Sequence, residues 1–233
     1  MTFVDADVQP VSIIQSPTQT KTLRITEIFR SIQGESSYIG RPTVFVRLTG
    51  CPLRCEYCDS AYAFHGGQSR NLDDLLKEVL NFKTQHITVT GGEPLAQPNV
   101  LPLMKALSDA GLTVTLETSG ALDIAPVDPR VIRIVDVKTP DSGEEKRNLP
   151  NNLDALKFED EIKFVICSEQ DFQWAINFCH SHQLTNRVSS IWMSPSYEQV
   201  NLKDLAEWVL AAPIEVRLQM QLHKLIWGDV PGV

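Results

Sequence analysis

The sequence predicts an α/β fold: a partial, open βα barrel with fewer helices than a complete eightfold barrel requires. Three observations predict it. From Thr43 onward, short apolar runs alternate with amphipathic helical stripes, the pattern of parallel strands joined by right-handed crossovers. The count is roughly six to eight strands against four good helices. No internal repeat or interdomain linker interrupts the chain, so residues 23–233 read as one domain after a flexible leader, residues 1–22. The leader is polar, carries Pro10 and Pro17, and lacks the charged and apolar regions of a targeting peptide.

Leu23 to Phe29 alternates apolar and polar residues, as a strand does. Ser31-Ile32-Gln33-Gly34-Glu35 follows as a polar loop. Thr43 to Leu48 is the next strand, with Val44, Val46 and Leu48 on one face and Thr43, Phe45 and Arg47 on the other. Asn71 is placed to cap a helix whose stripe is Leu72, Leu75, Leu76, Val79 and Leu80. Ile87 to Thr90 is a short strand ending at Gly91-Gly92. Val100 to Ala110 reads as a helix stopped by Gly111. Thr113 to Thr118 and Val131 to Lys138 are strands. Thr139 to Asp160 is the longest polar stretch, of the kind that is either functional or disordered. Glu161 to Ile166 is a strand, and Phe172 to Leu184 a helix with Phe172, Ala175, Ile176 and Cys179 inward. Val188 to Met193 is a strand ending at Ser194-Pro195-Ser196. Asn201 is placed to cap a helix packing Leu202, Leu205, Val209 and Leu210, and Val216 to Leu222 is the last strand.

Composition narrows the function class. The 233 residues are 42% hydrophobic and 21% charged, an ordinary globular balance. A single fold of this length buries about 70–75% of its unfolded surface. No apolar run approaches the ~20 residues of a membrane span. A net charge of −8 carries no basic nucleic-acid footprint and favours a small-molecule substrate. Five cysteines and no secretory signal point to the reducing cytoplasm.

The chemistry concentrates in Cys51-Pro52-Leu53-Arg54-Cys55-Glu56-Tyr57-Cys58, spaced C-x3-C-x2-C after a strand and a turn at Gly50. Three thiolates on one loop suit iron–sulfur or zinc rather than magnesium or calcium. Clusters normally use four Cys, but Cys167 and Cys179 lie over a hundred residues away and read as small buried thiols. A [4Fe–4S] cube on three thiolates leaves one iron open. The competing assignment is structural zinc with His65 as fourth ligand, although such sites usually pair their ligands two and two.

The cysteine spacing resembles the radical S-adenosylmethionine enzymes, and Gly91-Gly92-Glu93-Pro94 after an apolar strand resembles their second motif. In those enzymes the open iron chelates S-adenosylmethionine, and an electron from the cluster releases a deoxyadenosyl radical. Further segments narrow the resemblance: Glu27-Ile28-Phe29, Gln33-Gly34-Glu35, Gly40-Arg41-Pro42, Phe45-Val46-Arg47-Leu48, Gly50-Cys51, Cys58-Asp59-Ser60, Thr90 to Pro94 and Glu117-Thr118-Ser119-Gly120. In this order, from about Leu23 to Lys224, they resemble the 7-carboxy-7-deazaguanine synthases of queuosine and 7-deazapurine biosynthesis. The resemblance implies a ring contraction of 6-carboxy-5,6,7,8-tetrahydropterin with loss of ammonia and regeneration of S-adenosylmethionine.

The same resemblance implies roles residue by residue. Cys51, Cys55 and Cys58 hold the cluster. Tyr57, Cys58, Asp59, Gly92, Glu93, Asp136, Val137 and Lys138 border S-adenosylmethionine. Ile32, Gln33, Gly34, Arg47 and Thr90 bind the pterin, Gln33 offering an amide and Arg47 gripping a carboxylate with two parallel bonds. For Arg47 the alternative is a salt bridge with Glu35 or Glu117. Ser60, where the family usually has Thr, supplies a hydroxyl to magnesium; the alternative is a helix or turn cap. A flavodoxin or ferredoxin as electron donor and a homodimer are also implied. The loop between the first two cysteines has the short x3 form, and nothing is carried over beyond His223. A glycyl-radical-enzyme activase would share the cluster loop but not the Gln33-Gly34-Glu35 loop with Arg47. The non-enzymatic alternative is a zinc-stabilised interaction module.

Overall fold

The computed structural model describes residues 21–197, 199–228, 230 and 232. Apart from Lys21 and Thr22, the leader expected over residues 1–22 lies outside the described residues, and Thr22 already belongs to a strand.

The strands are β1 (Thr22–Ile32), β2 (Pro42–Leu48), β3 (Gln68–Asn71), β4 (His86–Gly91), β5 (Thr113–Thr118), β6 (Ile132–Asp136), β7 (Glu161–Ile166), β8 (Ser190–Pro195) and β9 (Arg217–Leu218). They form one sheet in the order β3-β1-β2-β4-β5-β6-β7-β8-β9. From β2 to β9 every neighbouring pair is parallel; β1 is antiparallel to both β2 and β3. β3 and β9 are the edges, so the barrel stays open. The helices are α1 (Leu72–Asn81), α2 (Val100–Asp109), α3 (Asn152–Ala155), α4 (Glu169–Ser181), α5 (Leu202–Ala211) and α6 (Leu222–Trp227). The β5–β6 crossover carries no helix, which is why the helix count falls short.

Helices α1 to α5 cover one face of the sheet, and that face is the core. Val44, Val46 and Leu48 pack with Ile87, Val89, Val114 and Leu116 under Leu75 and Val79 of α1 and Leu103, Met104 and Leu107 of α2. A second cluster joins Val135, Val137, Ile162, Phe164, Ile166 and Met193 to Phe172, Ala175, Ile176 and Cys179 of α4 and Leu205 of α5. Successive side chains of a strand point to opposite faces. The same strands therefore present Arg47, Thr90, Glu117, Asp136 and Lys163 to the concave side. Register aligns them, with Arg47 opposite Thr90 and Asp136 opposite Lys163.

Asn71 and Asn201 cap α1 and α5 as the sequence indicates, their side chains accepting from the Asp73 and Lys203 amides. Several boundaries differ. β1 continues through Ser31 and Ile32, because antiparallel pairing with Thr43 and Pro42 holds residues that look like loop. β3, all polar, has no hydrophobic alternation; only its ladder to β1 makes it a strand. α4 starts at Glu169, where Ser168 accepts from Asp171 N, and ends at Ser181. Leu184 lies in a separate turn after Gln183 at φ 53°. β6 stops at Asp136 because Asn148 brackets the Lys138 N–H and C=O in place of a neighbouring strand. β8 starts at Ser190, β9 has two residues, and Leu222 opens α6.

The polar stretch from Thr139 to Asp160 is ordered, and its polar residues are the reason. Asn152 accepts from Ile124 N and donates to Gly120 and Leu122 carbonyls. Asp160, with no exposure, accepts from Arg133 N and Nε at 2.9 Å each and from Lys157 N at 3.0 Å. Asp160→Ala leaves the buried Arg133 guanidinium without its partner. A stability loss of about 3–5 kcal/mol is expected, measured by denaturant unfolding; a loss below about 1 kcal/mol would mean that water replaces the carboxylate.

Candidate active site

The pocket lies at the C-terminal ends of β2 and β4 to β8, where strand ends give way to loops. The loop after β2 is folded by Gly50 N donating to Ala63 O at 2.8 Å and anchored by Leu53, which is buried. This places Cys51, Cys55 and Cys58 on the pocket wall, half-buried and unbridged. Burial pushes the Cys55 thiol up to about 11, and Cys51 and Cys58 in the same direction. Buried Lys138 lies nearby, its Nζ 3.0 Å from Asp136 Oδ2 and 5.4 Å from the Tyr57 ring centre. Burial works against its charge, but Asp136 and then Cys55 hold its pKa above the usual lysine value.

The donor set fits a cluster better than a single ion. Among the described residues, no three His, Cys, Asp or Glu side chains converge on one ion. A lone zinc holds its thiolates at about 2.3 Å, whereas a cluster spreads them over separate irons. His65 is exposed and outside the pocket wall, so it does not complete a zinc site with these cysteines. Tyr57 Oη and Asp136 Oδ1 are buried without hydrogen-bond partners beside the thiols, leaving polar capacity for a bound molecule.

The opposite side of the pocket is a polar array. Gln33, 2% exposed, donates through Nε2 to Thr88 Oγ1 at 3.1 Å and Glu117 Oε1 at 3.4 Å. Thr90 Oγ1 donates to Glu117 Oε2 at 2.8 Å. Lys163 pairs with Glu35, which also accepts from Gln221 Nε2 at 2.8 Å. Burial alone would raise the Glu35 carboxyl, but Lys163 draws it below its ordinary value. Glu117 goes the other way: burial, then the Glu35 charge, hold its carboxyl above the usual range. Arg47 faces the pocket, and its salt bridge runs to neither Glu35 nor Glu117. Its Nε donates to Glu27 Oε1 at 2.7 Å, which also accepts from the Tyr62 hydroxyl at 2.8 Å. β1 and β2 are antiparallel, with Glu27 directly opposite Arg47.

Of the residues singled out in sequence, Ile32, Gln33, Arg47, the three cysteines, Tyr57, Asp59, Ser60, Thr90, Gly92, Asp136 and Lys138 line this one pocket. Three do not. Val137 turns away into the second core, as alternation between Asp136 and Lys138 requires. Gly34 sits under α6; a Cβ there would meet His223 Nδ1 at 2.3 Å. Glu93 has no exposure, and its carboxylate is bound to Thr118, Ser119 and Leu95 rather than turned to the pocket. Gly92 shows why glycine is needed: a Cβ there would meet Gly50 O at 2.3 Å and Cys51 Cβ at 2.8 Å. Ser60 precedes the turn Ala61–Phe64 but makes no side-chain cap; its hydroxyl donates to Asp59 Oδ1 at 2.9 Å.

Sequence reasoning missed Lys163, Gln221, His223 and Lys224 on the pocket wall. Lys163 left a signal, since Glu161 and Lys163 share one face of an otherwise apolar strand. The residues from Gln221 onward left none. They reach the pocket because Leu222 N donates to Gly34 O at 3.1 Å and draws α6 across the open side.

The radical S-adenosylmethionine superfamily profile matches residues 45–138, from β2 through the cysteine loop to Lys138. A 7-carboxy-7-deazaguanine synthase of Koribacter versatilis is 46% identical over 219 residues, 88% of this chain and 97% of the relative. One from Chlorobaculum tepidum is 43% identical over 215 residues, 91% and 97% of the two chains. Among solved structures, QueE from Escherichia coli aligns with a TM-score of 0.72 at 26% identity, covering 87% of this chain and 95% of that one. Shared sequence over almost the whole of both chains, and a cysteine loop and strand-end pocket inside the matched region, lead to one conclusion: the chain belongs to the 7-carboxy-7-deazaguanine synthase family of radical S-adenosylmethionine enzymes.

Proposed function

We propose that this enzyme contracts the ring of 6-carboxy-5,6,7,8-tetrahydropterin to 7-carboxy-7-deazaguanine, releasing ammonia, in 7-deazapurine and queuosine biosynthesis. The observation that carries the reading is the meeting, in one pocket, of three thiols from a single loop with the Gln33, Thr90 and Glu117 array and Arg47. A cluster and S-adenosylmethionine, when bound, supply the electron and the radical that open the reaction.

The chain's own residues divide the remaining work. Cys51, Cys55 and Cys58 hold the cluster on the pocket wall. Gly92 brings backbone against the cluster loop, and Tyr57, Asp59, Asp136 and Lys138 border the space for S-adenosylmethionine. Tyr57 Oη and Asp136 Oδ1 are the polar atoms free to receive it. Gln33, Thr90 and Glu117 offer mixed donors and acceptors to the pterin's amide edge, with Ile32 against its ring. Arg47, held in place by Glu27, presents its remaining N–H groups to the substrate carboxylate. α6 shields the open side, with Gly34 as its seat. On this reading Ser60 offers its hydroxyl oxygen to magnesium; the absence of a helix cap at Ser60 supports it, its own proton going to Asp59. Magnesium itself, a flavodoxin or ferredoxin as reductant and the homodimer rest on family likeness alone, and the cytoplasmic setting on the low cysteine usage. Among the described residues no helix is long and apolar enough to cross a membrane.

The direct test is anaerobic incubation of reconstituted, reduced protein with S-adenosylmethionine and the tetrahydropterin. Deazaguanine and ammonia in equal amounts are expected; S-adenosylmethionine cleavage with no deazaguanine would assign the pocket to another substrate.

Glu117 yields a prediction that couples binding to stability. A carboxyl whose folded pKa is raised penalises the ionised form, so folding stability falls as pH rises through the interval from the ordinary carboxylate value, about 4.3, to the raised one. Glu117→Gln removes that penalty. The substrate-free variant is expected to melt at or above the wild-type temperature near pH 7.5, with the difference shrinking toward about pH 4. Its pterin affinity is expected to drop roughly tenfold or more, since a lost hydrogen bond to a charged group costs about 1.5–3 kcal/mol. A variant that melts lower and binds as before would make Glu117 a structural partner only.

A further inference from the structure

We propose that Glu93 is a positioning residue that fixes the cofactor seat at Gly91-Gly92 against the substrate seat at Glu117; which molecules fill the two seats rests on the function proposed above. Its place in the Gly-Gly-Glu-Pro run would make it a ligand. Its surroundings make it a staple. The side chain has no exposure and does not reach the pocket wall. Its Oε1 accepts from Leu95 N at 3.0 Å and Thr118 Oγ1 at 2.9 Å; its Oε2 accepts from Ser119 N at 2.7 Å and from Ser119 Oγ. Two oxygens taking four donors is the pattern of a carboxylate, which accepts and does not donate. The backbone of the same residue donates to Gly50 O at 2.8 Å.

Glu93 thereby joins three segments that are distant in the chain, and each of them carries pocket residues. Gly50 precedes Cys51, Glu93 itself follows Gly92, and Thr118 follows Glu117. No slack remains at the junction. A Cβ on Gly91 would meet Leu48 O at 2.3 Å, and one on Gly92 would meet Gly50 O at the same distance. Asp160, equally buried, ties Arg133 and the Lys157 turn, none of which lines the pocket. It offers a carboxylate of the same burial whose loss is expected to affect stability alone. Alignment of reacting groups is where the distinction becomes visible, because a displacement of about 1 Å costs on the order of 10²-fold in rate.

The test compares Glu93→Gln with Asp160→Asn in the reconstituted holoprotein. The amide keeps the side chain's size but turns one acceptor into a donor, opposite backbone N–H groups that cannot reverse. Two readouts go beyond folding. One is the deoxyadenosine released per deazaguanine formed, expected to rise by about tenfold or more in Glu93→Gln as alignment is lost. The other needs no pterin: the S-adenosylmethionine concentration that half-shifts the electron paramagnetic resonance spectrum of the reduced cluster, expected to rise also. Asp160→Asn is expected to lower the melting temperature and leave both unchanged. If Glu93→Gln does not fold, Thr118→Val, which removes one of the four donors, is expected to move both readouts the same way by less. Both readouts unchanged in the variant that folds, or moved equally by Asp160→Asn, would overturn the proposal. A wild-type protein whose spectrum responds to S-adenosylmethionine but which makes no deazaguanine would instead defeat the functional reading, and the spectroscopic readout would still decide the role of Glu93.

Discussion

The two-residue period of a parallel strand is the constraint on which the pocket depends. β2 and each strand from β4 to β7 must bury one face beneath helices, because that face carries the core. The other face is then committed to the concave side at the same register. Arg47 lies opposite Thr90 and Asp136 opposite Lys163 for no reason other than the hydrogen-bond ladder that pairs their strands. A shift of one residue in any strand would send these groups into the core and Val46 or Val137 into the pocket. Packing on the helical side therefore sets the chemistry on the other.

Such a pocket concentrates charge away from water, and each charge needs an answer. Glu35 is answered by Lys163, Asp136 by Lys138 and Arg47 by Glu27. Glu117 has neutral donors, Thr90 and Gln33, and its carboxyl stays above the usual range. An under-compensated acid at the end of a strand suits a ligand with N–H donors and makes no sense as a stability device. On the proposed function, it is a place where folding free energy is given up for binding. The opposite logic holds at Glu93, where four donors leave the carboxylate fully satisfied and unavailable to a ligand.

How much of this was legible in the sequence depends on range. Short-range patterns were readable: the apolar face of Val44, Val46 and Leu48 against Arg47, the stripe of α1, the caps Asn71 and Asn201, and the three cysteines on one loop. Features made by contacts distant in sequence were not. β3 is a polar run that becomes a strand only beside Thr22 to Ile25. The segment from Gln221 to Lys224 reaches the pocket through Gly34, nearly two hundred residues earlier. The partner of Arg47, Glu27, follows from the register of β1 on β2, which hydrophobic pattern does not reveal; the sequence suggests Glu35 or Glu117 instead. The motif of Glu93 marks it as a ligand, because no local signal reveals that Thr118 and Ser119 take up its carboxylate. The polar residues of 139–160 read as a functional or disordered loop, yet Asn148, Asn152 and Asp160 hold backbone in place of a strand.

The central claim is that cluster, cofactor and pterin share the one pocket built by these strand ends. An anaerobic crystal structure of the reconstituted protein with S-adenosylmethionine and the tetrahydropterin tests it most directly. The pterin edge is expected against Gln33, Thr90 and Glu117, its carboxylate against Arg47, and Glu93 still bound to Thr118 and Ser119. A pterin bound elsewhere, or Glu93 turned from Thr118 and Ser119 to touch S-adenosylmethionine, would contradict it.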